Sequence, residues 1–475
     1  MINLLAAGRA PRELSEHLCG ASLIALAKDD NDVRPIAVGE VFRRLTSKCL
    51  CASVRDNARD FFEPLQVGVA CPLGLEAAIH TVAQYVNRHA ASANKLVLTI
   101  DFKNAFNSID RNAFLRAACE HMQPVAAWAC WCYSLPSRLL YDGHVIASRT
   151  GVQQGDNLGP LLFSLAFHPT LRALKAVQGI DVVVGYLDDV VIAGEAGSVL
   201  APLGALQAAL PGLGLLLNSR KCELIPTAGV RSAVDWSQFP PEMKRVADAS
   251  SKFLGTPICS QEFIVNFTQQ KRTDKAIRLL QEVEWLEDGQ VAHKLLMRCM
   301  GACRVMHAMR TTRPDWITTQ LRAVDTAVLN ALEACMGLAL PAAARQQASL
   351  PMSLGGCGLR SSERHAAAAY VSSRFATAEL CQKMDANFRL EAEVPESGLA
   401  LAVRLCNEAL PEPQRLSLEL LAGGARSQKE VSTMSWTVWF SRPCWKPLML
   451  HPGRGCGPSL LRMQEPGWPL CRRQA

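Results

Sequence analysis

The sequence lacks several features that would place it quickly. No two of its 18 cysteines have two residues between them, and the nearest pairs, such as Cys49 with Cys51 and Cys130 with Cys132, with one residue between, have no matching Cys or His pair downstream. That argues for scattered, reduced thiols and against a zinc site. No apolar core behind a basic patch follows Met1, so no secretory signal is read. The apolar runs, such as Leu158 to Phe167, look too short for the ~18 residues that a bilayer crossing takes. No repeat of the solenoid kind recurs. Nor is there a dominant charge of one sign: 50 basic residues against 43 acidic leave a formal +7. That excess permits a polyanionic partner without requiring one.

What is present is a chain of 475 residues, 49% hydrophobic and 20% charged. This composition excludes disorder of the whole chain and allows two or three domains at roughly 150 residues each. Residues 1 to 65 read as short helical stretches with basic clusters. Residues 66 to 265 alternate apolar strands with amphipathic helices. Residues 268 to 340 look helical throughout, with Ala276, Leu279, Leu280, Val283 and Leu286 at helical spacing and Trp285 and Trp316 as core anchors. An Ala-rich helix follows the Gly355-Gly356 turn. The end, from about Pro443, is rich in Gly, Pro and Arg and is expected to be poorly ordered.

The middle section carries the chemistry. Leu96 to Ile100 is a β-branched, apolar run that ends at Asp101. A helical pattern follows from Asp110. Asp181 to Ala193 holds two apolar strands interrupted by Tyr186-Leu187-Asp188-Asp189, a hairpin with carboxylates at its tip. A helix over Val199 to Leu210 and a strand region near Cys222 to Ile225 complete the order strand, helix, hairpin, helix, strand. That is the split βαβ arrangement, with helices on one face of an antiparallel sheet and the other face expected to be free for a ligand. The first strand and the hairpin then become neighbours, so Asp101 and Asp188 approach each other. Converging carboxylates repel unless a hard cation holds them, and Mg²⁺ keeps substrate phosphates in its shell. Two such ions suit an in-line phosphoryl displacement. An ordinary acidic turn is the competing account of Asp188-Asp189.

The neighbouring residues narrow the choice. Leu98-Thr99-Ile100-Asp101-Phe102-Lys103-Asn104-Ala105-Phe106-Asn107, Gly151-Val152-Gln153-Gln154-Gly155-Asp156-Asn157-Leu158-Gly159-Pro160, Tyr186-Leu187-Asp188-Asp189, Leu217-Asn218-Ser219-Arg220-Lys221-Cys222-Glu223, Phe253-Leu254-Gly255 and, upstream, Val33-Arg34-Pro35-Ile36-Ala37-Val38-Gly39-Glu40 fall in one order with compatible gaps. Together they resemble the motifs of reverse transcriptases of the non-LTR retrotransposon (LINE-like) family. The resemblance covers residues 20 to 265, with the helical segment to 340 as its continuation.

The resemblance implies an α+β right-hand polymerase: fingers and N-terminal region over 1–95, a split βαβ palm over 96–265, a helical thumb over 266–340 and a C-terminal region over 341–475. It implies an RNA-directed DNA polymerase extending a primer 3′-hydroxyl with dNTPs on an RNA template. Two Mg²⁺ ions, or Mn²⁺ in their place, would be held by Asp101, Asp188 and Asp189, the last in the softest role. Phe106 would be the gate against a 2′-hydroxyl. Gln154 and Gly155 would face the nucleotide or template, where glycine lets backbone approach closely; Asn157 stands where the family more often has proline. Arg34 would contact the triphosphate, since guanidinium binds phosphate bidentately, with Lys28, Arg43 and Arg44 as nearby, solvated basic residues. Lys221 would donate a proton to the leaving pyrophosphate. Across residues 266 to 345, the thumb and the few residues after it, eleven basic residues against eight acidic suit a nucleic-acid duplex.

No upstream nuclease fits before Arg34, and no nuclease motif or Cys/His cluster is found after residue 340. The expectation is a polymerase core from a truncated element or longer gene. A group II intron-type maturase and an inactive relic that at most binds nucleic acid are the alternatives. Membrane association is not expected, and the cellular compartment is not read from the sequence.

Overall fold

The computed structural model describes residues 1–27, 33–246, 248, 250–258, 260–408, 412, 415 and 416. Lys28 and the basic stretch from Pro443 lie outside the described residues. In chain order, β1 (Ala21–Ala27) and β2 (Val33–Gly39) are followed by α1 (Val41–Ser53) and α2 (Gly74–Arg88). Then come β3 (Lys95–Ile100), α3 (Arg111–His121), α4 (Gln123–Tyr133) and the hairpin of β4 (Ser137–Tyr141) and β5 (His144–Ser148). α5 (Gly159–Lys175), the hairpin of β6 (Ile180–Tyr186) and β7 (Asp189–Glu195), α6 (Ala196–Ala209), β8 (Glu223–Pro226) and β9 (Lys244–Arg245) complete the middle section.

The central sheet has the order β6-β7-β3-β8-β9, with β3 antiparallel to both of its neighbours. The split βαβ order read from the sequence is therefore present. α3 begins where expected because Asp110 caps it, its carboxylate accepting the Ala113 N–H at 2.8 Å. One face of the sheet (Leu96, Leu98, Ile100, Val183, Ile192) joins the main core with Phe114, Phe163 and Phe167.

The opposite face is not free, which corrects the sequence reading. Val97, Val182, Val184, Val191 and Ile225 are buried there against Ala78, Val82 and Tyr85 of α2 and against Cys381, Met384 and Phe388 from the C-terminal region. The physical reason lies in the strands themselves. Val182-Val183-Val184 and Val190-Val191-Ile192-Ala193 are apolar at successive positions, the pattern of strands covered on both faces. The ligand space is displaced from the face to the end of the sheet.

The N-terminal region holds the expected short helices, among them Ile2–Ala6, Ser15–Leu18 and Arg55–Phe62, and adds two strands that were not expected. β1 and β2 form part of a four-stranded sheet of order β2-β1-β4-β5. Its second hairpin turns at Asp142 and Gly143, both with positive φ, a turn that suits the right-handed twist of the strands it joins. α1 buries Arg43, Thr46, Ser47 and Leu50 on one side.

Past β10 (Ser251–Phe253) and β11 (Thr256–Ile258) the chain is mainly helical, with a core of Leu280, Val283, Leu296, Ile317, Leu321 and Val324. Trp316 packs beside this core, whereas Trp285 is 84% exposed and anchors nothing. The α7 helix (Pro314–Met336) and the α8 helix (Ser362–Met384) run through this part. α8 reaches from this helical core, through Ala366, to the back of the central sheet, through Cys381 and Met384.

One uncharged stretch, Ala196–Leu213, is long and apolar enough to cross a bilayer, contrary to the sequence reading. Here its Val199, Leu203 and Leu206 sit in the main core. Among the described residues the cysteines are free, as expected.

Candidate active site

Asp101 is the residue after β3, and Asp189 is the first residue of β7. The antiparallel register ends with Ile100 paired to Val190, so the two aspartates follow directly at the same end of the ladder. Asp188 lies beside them in the two-residue turn that joins β6 to β7, where Tyr186 pairs with Asp189. All three line one open cleft of about 840 Å³, together with Arg34, Lys103, Phe106, Gln154, Gly155, Asn218 and Lys221. The sequence-predicted site residues, drawn from five separate motifs, thus meet in one place.

The electrostatics of the cleft suit a divalent cation. Asp189 faces the cleft, yet the surrounding walls strip water from its carboxyl, and the charges of Asp188 and Asp101 add to that; its pKa is raised to about 6. Arg34 and Lys252 oppose the rise without cancelling it. Among the described residues no three carboxylate, imidazole or thiolate groups form a ready-made metal cage. Mg²⁺ does not need one, because it is usually held by one or two carboxylates plus water and substrate phosphates.

Asp101 is fixed by a residue the sequence reading passed over. The Asn218 backbone N–H donates to the Asp101 carbonyl at 2.8 Å, and its side-chain amide donates to Asp101 Oδ2 at 2.8 Å. One carboxylate oxygen is thereby turned toward protein, leaving the other for the cleft. The amide stands within a motif that was noted, three residues from Lys221. Lys221 itself is exposed on the cleft wall.

Phe106 stands on the cleft with its ring stacked on Phe163 at 4.9 Å and 18°. Its backbone is also engaged, the carbonyl accepting the Val152 N–H at 2.7 Å. The loop after Val152 then crosses β2, where the Ala37 N–H donates to the Gln154 carbonyl at 2.7 Å. Gly155 has φ +129, and a Cβ there would stand 2.2 Å from the Ala37 carbonyl oxygen. Its glycine requirement is therefore set by a protein backbone contact with β2, whatever the cleft binds.

Arg43 is the clearest correction among the basic residues. It is 1% exposed, not solvated, and its guanidinium donates to Asp156 Oδ2 at 2.9 Å, to Gln153 Oε1 at 2.6 Å and to the Cys19 carbonyl at 2.6 Å. Tyr133 donates its hydroxyl to the same Asp156 oxygen at 2.7 Å. Burial alone would raise the Asp156 pKa, but the Arg43 charge and the Tyr133 hydroxyl bring it below the usual carboxylate range. This network fastens α1 to the loop that carries Gln154 and Gly155. Arg44 is exposed on the same helix, as expected.

The geometry agrees with the comparisons. Residues 26–258 match the family described as reverse transcriptase (RNA-dependent DNA polymerase). That segment is a reverse transcriptase domain. Among relatives, the reverse transcriptase is 26% identical over 360 residues to the retrotransposable element SLACS 132 kDa protein of Trypanosoma brucei gambiense, an alignment covering 73% of this chain and 29% of that protein. It is 30% identical over 143 residues to a retrovirus-related Pol polyprotein from type-1 retrotransposable element R2 of Nasonia vitripennis, covering 27% of this chain and 14% of that one. Both are proteins of non-LTR retrotransposons, so the reverse transcriptase is of the LINE-like kind. The chain spans less than a third of either relative's length. Among solved structures, telomerase from Candida tropicalis in complex with a fragment of telomeric RNA has a TM-score of 0.42 at 9% identity, over 89% of this chain and 65% of that one. Telomerase from Candida albicans has a TM-score of 0.39 at 11% identity, over 78% of this chain and 67% of that one. The family is one of RNA-directed DNA polymerases and generally uses divalent metal ions.

Proposed function

We propose that the reverse transcriptase is catalytically active, extending a primer 3′-hydroxyl with dNTPs on an RNA template. The observation that carries this reading is the convergence of Asp101, Asp188 and Asp189 on one cleft, where burial first and the neighbouring carboxylate charges second raise the Asp189 pKa to about 6. Asp101 and Asp188 would hold two Mg²⁺ or Mn²⁺ ions, with Asp189 in a supporting role. Bound there, the ions would stabilise the charge on the attacking and leaving oxygens of an in-line displacement.

The remaining roles belong to the chain's own side chains. Arg34 draws the triphosphate into the cleft from the β2 side. Phe106, braced by Phe163, closes the space that a 2′-hydroxyl would need. Lys221 gives a proton to the leaving pyrophosphate, a role its exposed position on the cleft wall allows. Asn218 keeps Asp101 oriented and Gln154 lines the nucleotide side. We assign residues 1–95 to the fingers, 96–265 to the palm, 266–340 to the thumb and 341–475 to a C-terminal region, of which α8 braces the palm from behind. The chain is read as the polymerase part of a larger or truncated non-LTR element.

Primer extension on poly(rA)/oligo(dT) with Mg²⁺ or Mn²⁺ tests the reading. Incorporation of dTTP by the wild type and its loss in Asp188→Ala are expected. A wild type that binds the hybrid but never extends it would leave only a nucleic-acid-binding protein.

A further inference from the structure

Gln66 lies outside every motif assigned above, yet it is wholly buried and touches the catalytic turn. Its side-chain oxygen accepts the Leu187 N–H at 2.8 Å and the Gly68 N–H at 3.1 Å, while its Nε2 donates to the Leu187 carbonyl at 3.0 Å. One amide therefore holds both polar groups of the residue immediately before Asp188. The surroundings leave it little freedom. Gly185 N–H donates to the Leu65 carbonyl at 2.6 Å, and Val67 N–H donates to the Gly185 carbonyl at 2.8 Å, so the chain around Gln66 runs beside the end of β6. Gly68 belongs to the same device: a Cβ there would stand 2.6 Å from the Leu187 nitrogen.

The turn needs such a clamp. Leu187 has φ +58, a conformation that a branched side chain adopts at a cost. A strained turn persists only when its surroundings fix it, and a carboxylate at its tip shifts with it. We infer that Gln66 is a positioning residue that sets the geometry of the metal-binding turn through the Leu187 peptide. The activity arm of this inference rests on the proposed function; the structural arm does not.

Gln66→Met removes all three hydrogen bonds at similar length, and Gln66→Glu keeps the two accepted ones. Val82→Ala, in the buried cluster behind the sheet that also holds Val67, the neighbour of Gln66, is a control for general loss of stability. Two readouts are compared: hydrogen exchange of the peptide spanning Tyr186 to Val190, and the kcat and nucleotide KM of primer extension. For Gln66→Met we expect exchange at Leu187 at least about tenfold faster and kcat at least about tenfold lower, with KM within about twofold. Gln66→Glu is expected to restore slow exchange and part of kcat. Val82→Ala is expected to leave both readouts close to wild type. If Gln66→Met does not fold, Gln66→Glu against Val82→Ala decides by the same exchange measurement, and faster exchange in Gln66→Glu overturns the clamp. Exchange and kcat in Gln66→Met equal to those of Val82→Ala also overturn it. A wild type without polymerase activity defeats the proposed function, while the exchange comparison still decides the clamp.

Discussion

Arg43 of α1 and Asp156 of the loop before α5 form an ion pair at 2.9 Å with each side chain 1% exposed. So deep a pair is expensive to desolvate, and its contribution shows chiefly when one partner is removed. Arg43→Ala leaves Asp156 charged and buried with only the Tyr133 hydroxyl and backbone donors. We expect a loss of about 3–5 kcal/mol in urea unfolding, with no gain for Arg43→Ala over the double variant Arg43→Ala, Asp156→Ala. A loss below about 1 kcal/mol would mean that the network does not fasten α1 to the loop.

Asp188→Asn separates chemistry from folding. The substitution removes one of the charges that raise Asp189 and keeps the shape of the turn. Primer extension should fall by about a thousandfold, the equivalent of several kcal/mol of lost charge stabilisation. The Tm of the metal-free protein should stay level or rise. A variant that unfolds earlier and extends primers normally would assign Asp188 to structure.

Much of this was readable in the chain. The strand before Asp101 and the hairpin around Asp188 announce themselves because long β-branched runs end abruptly at carboxylates, and their antiparallel order follows from the split βαβ pattern. Other parts depend on partners distant in sequence. The back of the sheet is closed by α2 and by Phe388, from either end of the chain, and no local pattern specifies that pairing. Arg43 next to Arg44 reads as a basic surface; only the buried positions Thr46, Ser47 and Leu50 on its helix reveal that it turns inward. Gln66 is a lone polar residue in a stretch without regular periodicity, and its meaning appears only with Leu187 beside it. Asn218 lay within a recognised motif, but its donation to Asp101 needs the chain to return along β3.

Phe106 should control sugar choice. Its ring lines the cleft and is backed by Phe163, so it cannot easily retreat from a bulkier sugar. Phe106→Ala opens that space and is expected to raise the rNTP-to-dNTP ratio of kcat/KM at least about tenfold. The stacked pair is also lost, at about 0.5–1.5 kcal/mol beyond the area exposed. An unchanged ratio in a folded variant would make Phe106 a packing residue only.

Acid should weaken the fold through His168. The ring is 2% exposed, and Arg172 Nε donates to its Nε2 at 3.0 Å, a bond that requires the unprotonated nitrogen. Burial first, then the charges of Arg172 and His121, bring its pKa down to about 4. A base whose pKa is depressed by folding contributes stability above its unfolded value of 6.5 and loses it as pH falls toward 4. His365 behaves alike, its pKa brought to about 4 by burial and Arg360. Asp189 works in the opposite sense: raised to about 6, it destabilises the metal-free fold when charged, so acidification from 6 toward 4 relieves it. That relief is the smaller effect, because the carboxyl faces the open cleft. Metal-free Tm should therefore hold from pH 8 to 7 and fall between 6.5 and 4. His168→Gln should flatten the fall, and Asp189→Asn should steepen it. A Tm profile identical in wild type and His168→Gln would remove His168 from the acid response.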